Sequence, residues 1–326
     1  MHRTAKQIYQ AIQRAEHLLL VPHPNPDGDA LGSVAALMQW LRLLDKRHLT
    51  FCVTPISPKL RYLPHVEYIT NDREVWRAFN FDTVIVVDSG DLRYAGIADH
   101  LANLSARPTI INIDHHATNE HFGVYNLVDT AASSTTEVLY RFFRTNDVMI
   151  DPYIATCLLT GVMTDTDHFT NAATSAHSLA VASELIKRGG DMSLIRGAVF
   201  FDKTIATLKL WGGALARLQK HDELDIVYTH VTQNDLQTHR VEDSEVEGLA
   251  NFMNNLNDGR AALILKELSN GNLKGSFRTT KNDVDVSAWA KALGGGGHKK
   301  AAGFTVPGPV EIALQNVFAK IQETEK

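Results

Sequence analysis

Cysteine is nearly absent from this chain: 326 residues contain two, Cys52 and Cys157. Both sit inside apolar segments and far apart in sequence, so the expectation is two buried, reduced thiols, with neither a disulfide nor a cysteine zinc site. A reducing cytoplasm suits such a chain. Long apolar runs are missing as well. No window approaches the ~20 apolar residues of a spanning helix, and the opening MHRTAKQIYQAIQRAEH has no signal-type apolar core, so a soluble cytoplasmic protein without membrane contact is expected. Positive charge is not in excess: 32 Lys and Arg stand against 37 Asp and Glu, a formal net charge of -5. That balance argues against binding long nucleic acid, because affinity for a polyanion comes largely from neutralised phosphates. A small anion held through metal ions remains open. Internal repeats and low-complexity tracts are lacking too.

The length allows two domains, each with its own core, and 44% apolar with 21% charged residues is ordinary for a globular protein. Up to about Asp191, short runs rich in Val, Ile and Leu (17–22, 49–54, 83–88, 109–114) alternate with helical patterns such as ALGSVAALMQWLRLL and SSTTEVLYRFFR. The runs lack period-two alternation, as parallel strands covered on both faces do, and the alternation with helices indicates βαβ units. The fold class expected is α/β. Ser134 with Glu137 forms a capping-box pattern, and Gly189-Gly190 closes the helix SLAVASELIKR. Residues 193–222 keep a helical period without strand punctuation and are expected to link domain 1–192 to a smaller α/β domain, 223–326, where strands DIVYTHV, AALILKEL and LKGSFRTT resume.

Chemistry-bearing side chains gather at the ends of the apolar runs. His23, Asp27 and Asp29 follow HLLLVP, Asp88 ends TVIVVD, Asp114-His115-His116 ends TIINID, and Asp165 follows the helical DPYIATCLLTGVM. Residues placed where parallel strands stop converge on the crevice at the sheet's carboxyl edge. Taken alone, Pro26-Asp27-Gly28 is an ordinary turn and an Asp ahead of a helix an ordinary cap. Three titratable residues directly after IINI are harder to place without partners, and four such segments together point to metal. The spacing does not fit an EF-hand. Carboxylates and imidazoles without thiolate suit Mn²⁺, or Mg²⁺, better than structural zinc. Six ligands exceed what one ion with an open position needs, which implies two ions sharing a bridging carboxylate. Two ions about 3.5–4 Å apart clamp the attacking and leaving oxygens of a phosphoryl displacement and acidify a water. The reaction class that follows is hydrolysis of a phosphate ester.

HPNPDGDALGS, VDSGD, IDHH and TDTD, in that order, resemble the four motifs of the DHH phosphoesterase superfamily, and GGGGHKKAAGF resembles the signature of its DHHA1 C-terminal domain. The resemblance covers nearly the whole chain, and the short length is similar to that of the oligoribonuclease and pAp phosphatase (nanoRNase) group. It implies an N-terminal DHH domain with a helix-flanked parallel sheet, a helical connector and a DHHA1 domain. Carried over position by position, it implies that His23 and Asp27 bind one Mn²⁺, that Asp29, His115 and Asp165 bind the other, and that Asp88 bridges them. Asp114 would orient His115 through its ring N–H, and His116 would face the substrate phosphate or the leaving oxygen. Arg278 and His298 resemble the family's contacts to substrate phosphate. Asp167 and His168 stand where the family usually continues Asp-Thr-Gly, and the resemblance leaves open whether they crowd the metals or recruit another cation.

From its own residues, Gly294 to Gly297 is neither a phosphate-binding P-loop nor a dinucleotide fingerprint. Gly295, Gly296 and Gly297 expose backbone N–H groups to a ligand, and HKKAAG is expected to begin a short helix whose N-terminus favours phosphate. Arg278, in the alternating strand KGSFRTT, has a planar fork that matches phosphate. Two domains with metals on one and phosphate contacts on the other suggest a cleft for short molecules. The first reading is a Mn²⁺-dependent phosphoesterase that degrades short oligoribonucleotides to mononucleotides and removes the 3′-phosphate of pAp. A cyclic di-AMP or pApA phosphodiesterase and a non-catalytic nucleotide sensor stand as alternatives, and a homodimer is left open.

Overall fold

Strand β1 (Leu18–Val21) buries all four of its residues and divides them between two cores: Leu18 and Leu20 in one, Leu19 and Val21 in the other. A strand covered on both faces has no reason to alternate polar with apolar, which is why HLLLVP shows no period of two. The computed structural model describes residues 2–200 and 203–325. These fall into two compact units, Met1–Asp202 and Lys203–Lys326.

In the first unit β1 joins β2 (His48–Phe51), β3 (Ile69–Thr70), β4 (Thr83–Val87), β5 (Thr109–Asp114) and β6 (Tyr125–Val128) in the order β3-β2-β1-β4-β5-β6, parallel throughout. Helices His2–Arg14, Gly28–Leu43, Thr135–Thr145 and Pro152–Asp165 supply the core shared with Leu18 and Leu20, while Trp76, Phe81, Ala95 and Ile97 line the opposite one. The chain runs outward from β1 to β3, then returns to set β4 on the other side of β1. That reversal makes the carboxyl ends of β1 and β4 a topological switch point, where open α/β sheets bind ligands.

The second unit is a mixed sheet of β7 (Gln219–His221), β8 (Ile226–Val231), β9 (Ala261–Glu267), β10 (Asn272–Arg278), β11 (Gly296–His298) and β12 (Ala301–Pro307), in the order β11-β12-β10-β9-β8-β7 with only β8 and β9 parallel. One face of β10 buries Leu273, Gly275 and Phe277, and the other carries Lys274, Ser276 and Arg278.

Two expectations are corrected here. The segment 193–222 is not one connector. Met192–Ile195 and a π-helical turn, Arg196–Phe200, close the first unit, residues 201 and 202 lie outside the described residues, and Ile205–Ala216 belongs to the second unit, where Leu210 and Ala214 share a core with Val227 and Ile264. Gln219–His221 is already a strand. Nor does HKKAAG begin a helix. His298 ends β11, Lys299 and Lys300 form the turn, and Ala301 starts β12, the turn being fixed because the carbonyls of Lys299 and Lys300 accept the N–H groups of Val286 and Thr279, each at 3.0 Å.

Candidate metal centre

His23 leaves β1 with its Nδ1 2.9 Å from the Pro24 carbonyl, a contact that assigns a proton to Nδ1 and turns Nε2 toward Asp88 Oδ2 at 3.5 Å and Asp27 Oδ1 at 3.9 Å. An imidazole held in this way presents the nitrogen that ligates. Asp27 caps the helix Gly28–Leu43, accepting the N–H groups of Asp29 and Ala30 at 3.0 and 3.1 Å, while its side chain stays more than half exposed. The cap and the ligand readings of this residue are therefore compatible.

Asp29 is completely buried, and its two oxygens accept the N–H groups of Thr135 (2.6 Å) and Thr136 (2.9 Å) in the first turn of Thr135–Thr145. A helix N-terminus is a natural seat for a carboxylate. Burial nevertheless drives the Asp29 carboxyl well above the ordinary range, helped by the charges of Asp88 and Asp27. Asp165 is driven up in the same sense, by burial and then by Asp29 and Asp88. It ends helix Pro152–Asp165, with Oδ2 3.3 Å from His115 Nε2.

Asp88 is the first residue beyond β4 and adopts a left-handed φ of +56°, unusual for any residue but glycine and typical of functional turns. Its Oδ1 accepts from the Thr135 hydroxyl at 2.9 Å and lies 3.7 Å from His115 Nε2, while Oδ2 faces His23. Burial acts to raise its pKa, but the hydrogen bond from His23 and the charges of His115, His23 and His116 prevail and hold it below the usual carboxylate value. His23 is moved the other way: burial alone would lower it, and the Asp88 contact, the Pro24 carbonyl and the carboxylate charges raise it to about 9.

The role expected for Asp114 is corrected by the structure. Its Oδ1 accepts the ring N–H of His116 (Nδ1, 2.7 Å), and it meets His115 through that residue's backbone N–H, also at 2.7 Å. The His115 ring lies beside that of His116, centroids 4.5 Å apart, and points its Nε2 at Asp165 and Asp88, while Asp114 keeps its ring hydrogen bond for His116. This hydrogen bond is the largest cause raising His116 to about 9. Behind it, Asn119 donates to Asp114 Oδ2 at 2.5 Å and also pairs with the buried Asn112.

The donors form three groups whose ligating atoms lie within 4.8 Å of one another: His23 with Asp27 and Asp88, Asp29 with His115 and Asp165, and Asp88 with His115 and His116. Donors on one ion at about 2.1 Å and right angles lie about 3 Å apart, and the pairs here stand at 3.3 to 4.0 Å. With oxygen and imidazole donors only, and with neighbouring carboxylates raised by one another's charge, the residues fit hard divalent cations.

Asp167 and His168 join none of these groups among the described residues. Asp167 has a left-handed φ of +46°, the conformation glycine adopts without strain, and the His168 ring meets Phe200 edge-on at 5.0 Å. In the second unit Arg278 and His298 each pair with Ala301, on opposite sides of β12, and so stand in one row across one sheet face, roughly 10 Å apart at two strand spacings. A Cβ on Gly295 would lie 2.1 Å from the Gly303 carbonyl, whereas Gly296 faces open space and Gly297 adopts φ +140°.

Sequence reasoning missed Thr135, Thr136, Asn119 and Gly161. Ser134 does cap Glu137 N–H at 3.1 Å, but the Glu137 carboxylate accepts from Ser133 at 2.7 and 2.9 Å, so the reciprocal half of the expected capping box is not formed. The available signal was the helix start itself, whose unpaired N–H groups call for an anion. Gly161 is required because a Cβ there would lie 2.3 Å from Asp29 Oδ1 and from Thr136 Oγ1.

The DHH family N-terminal domain matches residues 17–162 and the DHHA1 domain residues 225–326. The chain is 27% identical over 323 residues to the bifunctional oligoribonuclease and PAP phosphatase NrnA of Thermus thermophilus, covering 98% of this chain and 93% of that protein. It is 24% identical over 303 residues to the protein of the same name in Bacillus subtilis, covering 92% of each. A crystal structure of an exopolyphosphatase-related protein from Bacteroides fragilis superposes with a TM-score of 0.90 at 25% identity, covering 100% of this chain and 96% of that one. With both domains in sequence, and with the histidines and aspartates of the motifs gathered at one sheet edge, the chain belongs to the DHH/DHHA1 phosphoesterase family.

Proposed function

We propose that this protein hydrolyses phosphate esters of short nucleotides, cleaving short oligoribonucleotides to mononucleotides and removing the 3′-phosphate of pAp in the cytoplasm, with two Mn²⁺ ions as cofactors. The observation that carries the reading is Asp88. Its two oxygens face different imidazoles, His23 at 3.5 Å and His115 at 3.7 Å, so one carboxylate stands between the His23–Asp27 group and the Asp29–His115–Asp165 group. The names of the Thermus and Bacillus relatives supply the substrate class.

His23, Asp27 and Asp88 on one side and Asp29, His115 and Asp165 on the other would hold divalent cations, whose charge would acidify a water and neutralise phosphoryl oxygens. The protein's own residues do the rest. The Pro24 carbonyl keeps His23 Nε2 turned inward, and the first turn of Thr135–Thr145 fixes Asp29 through both oxygens. Asp114 holds the proton on His116 Nδ1, which keeps that imidazole oriented to bind the substrate phosphate or to give a proton to the leaving oxygen. Arg278 and His298, in one row on their sheet, are the groups we assign to substrate phosphate, with Gly295 to Gly297 beside them. The test is a product assay with Mn²⁺ against pAp, pApA, a five-residue RNA, cyclic di-AMP and pyrophosphate. Turnover of pAp and of the RNA is expected. Cleavage confined to cyclic di-AMP and pApA would move the assignment to the cyclic dinucleotides, and cleavage of pyrophosphate alone would overturn it.

A further inference from the structure

Tyr94 is 56% exposed, and its ring centroid lies 5.7 Å from that of His23 at an interplanar angle of 33°. Single exposed aromatics are ordinary, so exposure alone means little. Two further observations set this one apart. Among the described residues, it is the exposed aromatic side chain whose ring is paired with a residue of the donor groups. Its backbone is also pinned: Asp91 Oδ1 accepts the N–H groups of Arg93 (2.7 Å) and Tyr94 (2.8 Å), the Ser89 hydroxyl donates to the Asp91 carbonyl at 3.1 Å, and the following Ala95 and Ile97 are completely buried. The turn thus fixes the backbone from which this half-exposed ring projects beside His23.

We infer that Tyr94 is the platform on which the substrate's nucleobase stacks, an inference that rests on the nucleotide reading above. One side of the ring leans on His23, and more than half of the residue stays open to solvent. A phosphate engaged at His23 and Asp88 carries its nucleoside outward past this ring, and every base has a π-face that an aromatic ring accepts with little regard to sequence. The platform selects nucleotides over other phosphate esters, while the metals act on any of them.

The experiment compares pAp with its base-free counterpart, ribose 3′,5′-bisphosphate, on wild type, Tyr94→Ala, Tyr94→Leu and Tyr94→Phe, with bound Mn²⁺ measured for each protein. Loss of one stacked base is expected to raise KM for pAp by roughly 5- to 150-fold in the Ala and Leu variants. The base-free compound should react equally with all four proteins, and the Phe variant should keep the wild-type KM for pAp. Equal losses on both compounds, an unchanged KM for pAp, or a Phe variant as impaired as Ala would each overturn the platform. A wild type that hydrolyses the base-free compound as readily as pAp would overturn the nucleotide reading together with it, whereas an active wild type with indifferent Tyr94 variants would overturn the platform alone.

Discussion

Replacing Gly161 with alanine adds one methyl group where the helix Pro152–Asp165 faces Asp29 and Thr136. The new carbon would stand 2.3 Å from Asp29 Oδ1, 2.3 Å from Thr136 Oγ1 and 2.4 Å from Thr136 Cγ2, more than ~1 Å inside ordinary contact. Neither neighbour can swing away cheaply, because Asp29 is tied through both oxygens to the N–H groups of Thr135 and Thr136. Overpacking costs about 1–3 kcal/mol, and loss of one hydrogen bond to a buried carboxylate about 1.5–3 kcal/mol. Against this, alanine gains about 0.5–1 kcal/mol over glycine inside a helix. The net expectation is about 1.5–5.5 kcal/mol of destabilisation, a fall in Tm of roughly 3–20 °C for a unit of this size. A shift of ~1 Å in Asp29 should also cost on the order of 10²-fold in rate. Gly212→Ala, in the helix Ile205–Ala216, is the control, since a Cβ there meets nothing within 4 Å. Thermal unfolding, bound Mn²⁺ and turnover of pAp would be measured on both variants. If Gly161→Ala kept its metal, rate and Tm as Gly212→Ala should, the idea that this contact sets Asp29 would be refuted.

Asp88→Ala should lower kcat by at least ~10³ in a folded protein, since both donor groups depend on that carboxylate, and near-normal turnover would sink the two-metal assignment. Exhaustive chelation should abolish activity and Mn²⁺ should restore it; full activity after chelation would refute the cofactor. Arg278→Ala or His298→Ala should leave bound Mn²⁺ intact and lower kcat/KM for nucleotides by roughly 10–10³, with a much smaller loss on a minimal activated diester. Equal losses on both substrates would show that these residues serve the fold or the metals. His23 and His116, both raised to about 9, stabilise the chelated protein fully below the ordinary histidine pKa near 6.5, and that stabilisation is lost as pH rises through 9. Tm of the chelated protein should therefore fall across that window. Asp88, held low, has the opposite sign and acts only in acid, so a flat or rising Tm would contradict the assigned contacts.

Much of the first unit was legible because its strands are buried on both faces. The runs ending at Asp88 and Asp114 match β4 and β5 almost residue for residue, and a carboxylate directly after such a run has to find a partner. Strands β3 and β6 escaped notice: two residues of partial exposure and four of mixed burial leave no periodic trace. The glycine-rich hairpin misled for a related reason. HKKAAG has acceptable helix formers, and what makes it a turn is its docking on Thr279 and Val286, contacts distant in sequence. Tertiary pairing outweighed local propensity there.

For the site, residue types could be read and their connections could not. Which imidazole Asp114 serves depends on how two adjacent rings settle beyond the end of β5, where both reach Asp88, and the spacing of the motif alone does not distinguish them. Asp29 is the instructive case, because three separate elements act on it. The turn after β1 delivers it, the first turn of Thr135–Thr145 binds both its oxygens, and Gly161 leaves the space it occupies. Yet burial and the charges of its neighbours push that same carboxyl toward its protonated form. The fold therefore spends helix-terminus hydrogen bonds on holding a group that its surroundings disfavour as an anion. Such an arrangement becomes favourable when positive charge arrives beside His115 and Asp165, and it follows that metal binding and the packing of these two helices should be lost or kept together.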